Sequence, residues 1–275
     1  MNLSMINAAS ALAAQQLSLD TSANHLANLN TPGFKQRVLA FQDVLRYQLN
    51  QPYAVDIQPQ RLSPGGIPWG GGVTVTGTQW DWTLGVRQET TRPLDVMLET
   101  EGFFRVQDPF GQLFFTRNGN LQPSMLPDGG MTLTLPNGER LLDRASGLPI
   151  LFAQASDVKI DPDGSVWTSE DGQNYAATGQ ALDVVQLAYP QVLESAGFGR
   201  YRIPGVLAEE AQAEGWVRPL AGAEVQVRAG VLEGSNVDLT TEITRVMQAQ
   251  RAYQMNAQAL ASADRMLELA NTLRG

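Results

Sequence analysis

The sequence predicts an α+β protein: long helices at the N- and C-terminal ends pair as a coiled-coil-like stem, with an all-β domain inserted between them. Three observations predict it. First, apolar residues recur every seventh position near both ends: Met5, Leu12, Leu19 and Leu26, then Leu232, Leu239, Val246, Tyr253, Leu260 and Leu267. A seven-residue apolar period marks a helix seam of the coiled-coil kind. Second, the middle changes to a period of two, the pattern of half-buried strands. Third, turn dipeptides punctuate that middle repeatedly.

The first helix is expected from Leu3 to Asn28. Pro32 and Gly33 follow it, and the residue before a proline avoids helical backbone. The second is expected from about Asp238 to Leu273. Gly234-Ser235-Asn236-Val237-Asp238 supplies capping side chains at its start, and a carboxylate there suits the positive end of the helix dipole. Small residues flank the stripes: Ala8, Ala9 and Ala23 in the first helix, Ala249, Ala257, Ala263 and Ala270 in the second. Asp20 is the only charge among the first 30 residues, so the outer face of that helix is no ordinary solvated face. One apolar stripe does not offset the entropy of ordering so long a helix. The ends are therefore expected to pair with each other and with neighbouring molecules. The assembly interface is assigned to Met5, Leu12, Leu19, Leu26, Leu239, Val246, Tyr253, Leu260 and Leu267.

In the middle, Trp80, Trp82, Leu84 and Val86 alternate with polar residues, and Val73/Val75, Met131/Leu133/Leu135 and Val225/Val227 repeat the period. Phe103-Phe104 and Phe114-Phe115 are expected in core strands. Asn118-Gly119, Asn137-Gly138, Asp128-Gly129, Asp163-Gly164 and Asp171-Gly172 are expected as tight turns. Ser63-Pro64-Gly65-Gly66-Ile67-Pro68-Trp69-Gly70-Gly71-Gly72 reads as a linker. The division is then 1–35 for the N-terminal helix and turn, 36–72 for an extended linker, 73–230 for the β-rich domain and 231–275 for the C-terminal helix.

Composition removes whole classes of function. The chain has 275 residues, 19 Lys+Arg against 28 Asp+Glu, a net charge of −9, one histidine and no cysteine. Disulfides, thiolate metal sites and thiol nucleophiles are excluded. One histidine excludes a multi-histidine metal site, and no metal or cofactor is expected. The acidic balance, with Lys35 and Lys159 the only lysines, argues against a nucleic-acid groove or a polybasic membrane surface. No run of apolar residues is long enough to span a membrane, and no basic, apolar start resembles a secretory signal. Hydropathy alone therefore reads as a cytosolic chain. Charged residues make up only 17 %, which suits repeated like-to-like contact better than charge-specific docking.

No catalytic centre is nominated. Asp161-Pro162-Asp163-Gly164-Ser165 lacks the glycine and glutamate positions of a calcium loop and reads as a turn. Asp95, Glu99 and Glu101 could imitate a glycosidase acid pair but read as surface carboxylates. Gly70-Gly71-Gly72 lacks the Lys-Ser/Thr of a phosphate loop. His25 is expected at an interface or in solvent.

Ser22-Ala23-Asn24-His25-Leu26-Ala27-Asn28-Leu29-Asn30-Thr31-Pro32-Gly33-Phe34-Lys35 closely resembles the N-terminal motif of bacterial flagellar rod, hook and hook-associated axial proteins. Gly234-Ser235-Asn236-Val237-Asp238-Leu239-Thr240 through Gln250-Arg251-Ala252-Tyr253-Gln254-Met255-Asn256 is similar to the closing helix of that family, and Pro93-Leu94-Asp95, Gly102-Phe103-Phe104 and Thr116-Arg117-Asn118-Gly119 to its β segment. The motif residues are Asn24, Asn28, Asn30, Thr31, Gly33, Phe34, Ser235, Asn236, Val237, Asp238, Gln250, Arg251 and Tyr253. His25 stands where the family usually has Asn, Pro32 where Thr often sits, and Trp82-Thr83-Leu84-Gly85 where an aromatic-Gln-Gly pattern is usual. Length and the single modest β insertion look most like the distal rod protein and its paralogues. The resemblance implies a structural, non-enzymatic rod subunit of the flagellar basal body, polymerising through its terminal helices into a hollow, torque-transmitting tube. It implies copies of itself and other rod and hook axial proteins as partners. It also implies passage through the flagellar type III export apparatus without a cleaved signal, which replaces the cytosolic reading. The alternatives are a hook or proximal-rod axial paralogue, or an extracellular envelope-binding module.

Overall fold

The computed structural model describes residues 2–43, 47–48, 68–69, 71–127, 129–153, 157–169, 171, 174–205 and 214–272. Ser63 to Ile67 and Gly70 of the expected linker, Asp128, and Gly172 lie outside the described residues. The fold is α+β, with a helix at each end and a large β-rich part between. The chain divides into two compact units, Met1–Ala27 with Arg37–Gln79 and Asp238–Gly275, and Asn28–Gln36 with Trp80–Val237.

In the first unit, helix Asn2–Ala27 packs against helix Leu239–Thr272. At about 1.5 Å per residue they are roughly 39 and 51 Å long. The second starts where its capping signals place it: Asp238 Oδ1 accepts the Thr241 N–H at 2.7 Å. Hydrogen bonding from the Thr241 hydroxyl, together with that backbone N–H, holds the Asp238 carboxyl below its ordinary value. The same unit carries a two-stranded ribbon of strands Arg37–Asp43 and Val73–Trp80 and a short antiparallel pairing of Tyr47–Gln48 with Pro68–Trp69. Gly72 explains part of the glycine run. Its φ is +101°, and a Cβ there would lie 2.3 Å from Ser10 Oγ, which accepts the next N–H, from Val73, at 3.2 Å.

The second unit is built on a ten-stranded antiparallel sheet. Its central hairpin, Phe103–Gln107 and Leu113–Thr116, is flanked on one side by Arg200–Arg202 and Glu194–Gly197. Arg140–Leu141, Met131–Thr134 and Leu151–Phe152 continue the other side, and Val184–Leu187 also pairs with Phe103–Gln107. A separate three-stranded sheet comprises Asp157–Ile160, Ser165–Ser169 and Ala176–Ala181. Strand alternation explains the doublets. Phe104, Phe114 and Val184 enter the main core with Leu98, Leu133 and Leu182, whereas Phe103, Phe115 and Val185 enter a second cluster with Tyr201. Paired apolar neighbours are what a sheet covered on both faces requires. Trp80 and Trp82 join the second cluster, each edge-on to Tyr201 with ring centroids 5.0 Å apart.

The structure changes three expectations. The strand read across Trp80, Trp82, Leu84 and Val86 ends at Trp80; residues 81–86 are irregular, and Leu84 and Val86 are exposed. Backbone groups of that segment are bonded by side chains and by Gly234 instead of by a strand partner, as described below. Leu232 leaves the helix stripe, because it is buried in strand Val231–Glu233 and the helix starts at Leu239. Asn118-Gly119 is not a hairpin turn. Asn118 Oδ1 accepts the Asn120 N–H at 3.1 Å, and Asn120 bridges to Asp95. Asn137-Gly138 and Asp163-Gly164 do close hairpins, with φ of +85° and +82° at the glycines.

Gly119 admits no side chain: a Cβ would stand 1.7 Å from the Val96 carbonyl oxygen, which belongs to a fully buried residue. Gly119→Ala is expected to destabilise the β-rich unit by at least about 3 kcal/mol, since overpacking of this kind moves backbone. Chemical denaturation followed by tryptophan fluorescence measures it.

Candidate functional site

Motif residues are assembled in the second unit; in the first the helices meet on other residues. In the second unit the segment that follows the first helix meets the segment that precedes the second. Thr31 donates its N–H to the Asn28 carbonyl at 3.1 Å and its hydroxyl to Asn28 Oδ1 at 3.2 Å, which turns the chain after the helix. Gly33 then donates its N–H to the Glu233 carbonyl at 2.7 Å. Its φ of +70° is a left-handed value, and a Cβ there would lie 2.7 Å from the Arg117 carbonyl carbon. Glycine is required on both counts.

Two residues on, Lys35 is fully buried and donates from Nζ to Glu233 Oε1 and to the Thr83 carbonyl, each at 2.5 Å. Glu233 also receives the Gly85 N–H at 3.1 Å and faces Arg117 at 3.4 Å. The Arg117 guanidinium lies 5.4 Å from the centre of the Phe103 ring. Burial pushes the Lys35 ammonium below the usual lysine value, and the Glu233 carboxylate pulls it back. Asn236 completes the group: Oδ1 accepts the Gln36 N–H at 2.8 Å, and Nδ2 donates to the Asp81 carbonyl at 2.8 Å. Gly234 donates its N–H to the Val86 carbonyl at 2.8 Å. Ser235 is buried and its hydroxyl oxygen accepts the Val237 N–H at 3.3 Å; Val237 is buried and Phe34 half-buried.

In the first unit, the closest packing of the helices falls on small and polar residues. Ala14, Ser22 and His25 are buried on one helix, Glu242, Ala249 and Ala263 on the other. The last three keep the seven-residue step but lie three positions on from the apolar stripe. Met5, Leu12, Leu19, Leu26, Val246 and Leu260 are half-buried; Leu239 and Tyr253 are exposed; the side chain of Leu267 lies outside the described residues. Small side chains let the two backbones approach, so the larger stripe residues sit beside the line of closest contact. Asn24, Gln250 and Arg251 are exposed, as is Asn30 of the second unit. His25 is buried at 2 % exposure, its Nδ1 3.4 Å from Glu242 Oε1.

Of the acids weighed for chemistry, Asp95 is buried, not a surface carboxylate, and faces Arg92 at 3.8 Å, whereas Glu99 faces Arg228 at 3.1 Å and Glu101 is exposed. Asp163 caps its own turn, accepting the Ser165 N–H at 3.0 Å and the Ser165 hydroxyl at 2.8 Å. Among the described residues no three His, Asp or Glu side chains gather as metal ligands, and no helix is long and apolar enough to cross a membrane. The buried ion cluster was not read from the sequence. Its signals were an acid inside an apolar strand segment, Val231-Leu232-Glu233, and one of only two lysines inside the N-terminal motif.

Family models match three stretches: the flagella basal body rod protein at residues 5–35, the flagellar hook protein FlgE/F/G D1 domain at 97–168, and the flagellar basal body rod FlgEFG protein C-terminal region at 228–273. The chain is 31 % identical over 270 residues to the flagellar basal-body rod protein FlgG of Caulobacter vibrioides, covering 97 % of each. It is 29 % identical over 272 residues to FlgG of Borreliella burgdorferi, again with 97 % of each covered. To the flagellar basal-body rod protein FlgF of Salmonella typhimurium it is 32 % identical over 254 residues, 92 % of this chain and 90 % of the relative. The chain thus belongs to the flagellar basal-body rod protein family, a structural, non-enzymatic subunit of the rod in the flagellar basal body.

Lys35→Ala removes one partner of a buried pair and leaves Glu233 short of its shortest contact. The expected cost is about 3–5 kcal/mol, measured as the change in unfolding free energy of the full chain in urea.

Proposed function

We propose that the chain polymerises through its two terminal helices, pairing as a coiled-coil-like stem, into the hollow axial tube of the rod. Its neighbours there are copies of itself and other rod and hook proteins, reached after passage through the flagellar type III export apparatus. Residues 1–35 and 231–275 are the assembling ends, 36–72 the connecting segment and 73–230 the β-rich domain. The observation that carries this reading is apolar surface left along the helices. Met247, Met255, Met266 and Leu269 of the second helix are each more than half exposed, and Ile6 is so on the first. Patches of this kind mark protein contact surfaces. The first helix supports the same reading, because Asp20 is the only charge on it. Identical contacts repeated head to tail without closing produce a filament, and a shaft of that kind transmits torque.

Within the stem, Met5, Leu12, Leu19, Leu26, Leu239, Val246, Tyr253, Leu260 and Leu267 carry the assembly contact. Leu260→Asp places a charge in it and is expected to reduce incorporation into rod polymer by at least about tenfold. Sedimentation and electron microscopy of the full-length chain measure the polymer. Thermal melting of the β-rich unit should stay unchanged. Polymer at the normal level from this variant would overturn the reading.

A further inference from the structure

His25 joins three elements of the first unit. It lies near the end of the first helix, and its ring is buried. Nε2 accepts the backbone N–H of Arg37, the first residue of strand Arg37–Asp43, at 2.9 Å. Nδ1 faces Glu242 Oε1 of the second helix at 3.4 Å. A ring nitrogen that accepts an N–H carries no proton, so the tautomer is neutral with its hydrogen on Nδ1, toward Glu242. The charged groups facing the ring are Glu242 and Arg245 from the second helix and Arg37 from the strand. Arg245 binds the same Glu242 oxygen at 2.5 Å, which offsets part of the carboxylate's pull on a ring proton.

We propose that His25 is an acid-sensitive latch: protonation at Nε2 turns its acceptor into a donor, breaks the bond from the Arg37 N–H and releases the start of the ribbon from the helix pair. The proton comes from solvent, and no covalent bond other than the new N–H forms. Burial lowers the proton affinity of His25 below that of an ordinary histidine, with Glu242 acting against that lowering. The opened form therefore binds the proton more readily than the closed one. The latch contribution is complete above the ordinary histidine value of about 6.5 and is lost as pH falls from there through the lowered value of the closed form. In that window the opening equilibrium shifts about tenfold per pH unit, and below it levels off. A glutamine, whose amide oxygen reaches the place of Nε2 and cannot take up the proton, would hold the bond at every pH.

The test uses the full-length chain. Hydrogen exchange at the Arg37 amide, corrected for the intrinsic pH dependence of exchange, is followed from pH 8 to 5, alongside the ¹⁵N shifts of the imidazole. Expected are an acceptor-type Nε2 at neutral pH, an imidazole midpoint below about 6.5 and Arg37 protection that falls on acidification. His25→Gln is expected to keep Arg37 protected across the range. Constant protection in the parent chain, an equal fall in the glutamine variant, or an imidazole midpoint at or above the ordinary value would each overturn the proposal. Should the variant fail to fold, the imidazole titration of the parent chain decides the matter alone.

Discussion

An ammonium group buried without water must be met by an anion and by enough acceptors to replace its solvation, or it is not tolerated. That constraint governs the second unit. Lys35 has Glu233 and the Thr83 carbonyl, both at 2.5 Å, and the carboxylate it binds is also met by Arg117 and the Gly85 amide. These partners come from four stretches of chain, which must converge for any one of the contacts to form. The irregular path of residues 81–86 follows from the same requirement. Its carbonyls and amides accept from Lys35 and Asn236 and donate to Glu233, so a strand partner is unnecessary.

Glycine is fixed by the same convergence. At Gly85 a Cβ would lie 1.9 Å from the Gly234 carbonyl oxygen, and at Gly33 it would press on the backbone of Arg117. The two chain segments approach so closely that side chains are excluded on both sides. What looks in the sequence like polar punctuation is a set of bonding positions: Asn28, Thr31, Gly33 and Lys35 on one side and Glu233, Gly234, Ser235 and Asn236 on the other each make a hydrogen bond to or from backbone.

Much of this was legible from the residues. Both helices follow from the seven-residue stripe and their terminal signals; the first stops, and the second starts, within a residue of its expected bound. The phenylalanine doublets announced core strands because a two-faced sheet needs apolar residues at consecutive positions. What could not be read was any pairing of distant side chains. Lys35 and Glu233 are far apart in sequence, and no local periodicity links them. His25 stayed ambiguous because an isolated polar residue beside a stripe leucine has the same pattern whether it faces solvent or a buried Glu242. The alternation through Trp82 and Leu84 misled because side-chain bonding to the backbone can mimic an extended strand without a partner strand.

The Lys35–Glu233 cluster is as much a part of the β-rich unit as its apolar core. Native-state hydrogen exchange of the full-length chain tests it directly at the Gly33 and Gly85 amides, which bond the Glu233 carbonyl and carboxylate. Both are expected to exchange only with global opening, at the same free energy as core amides such as Val96. Exchange of Gly33 and Gly85 at rates typical of surface loops, while Val96 stays protected, would contradict it.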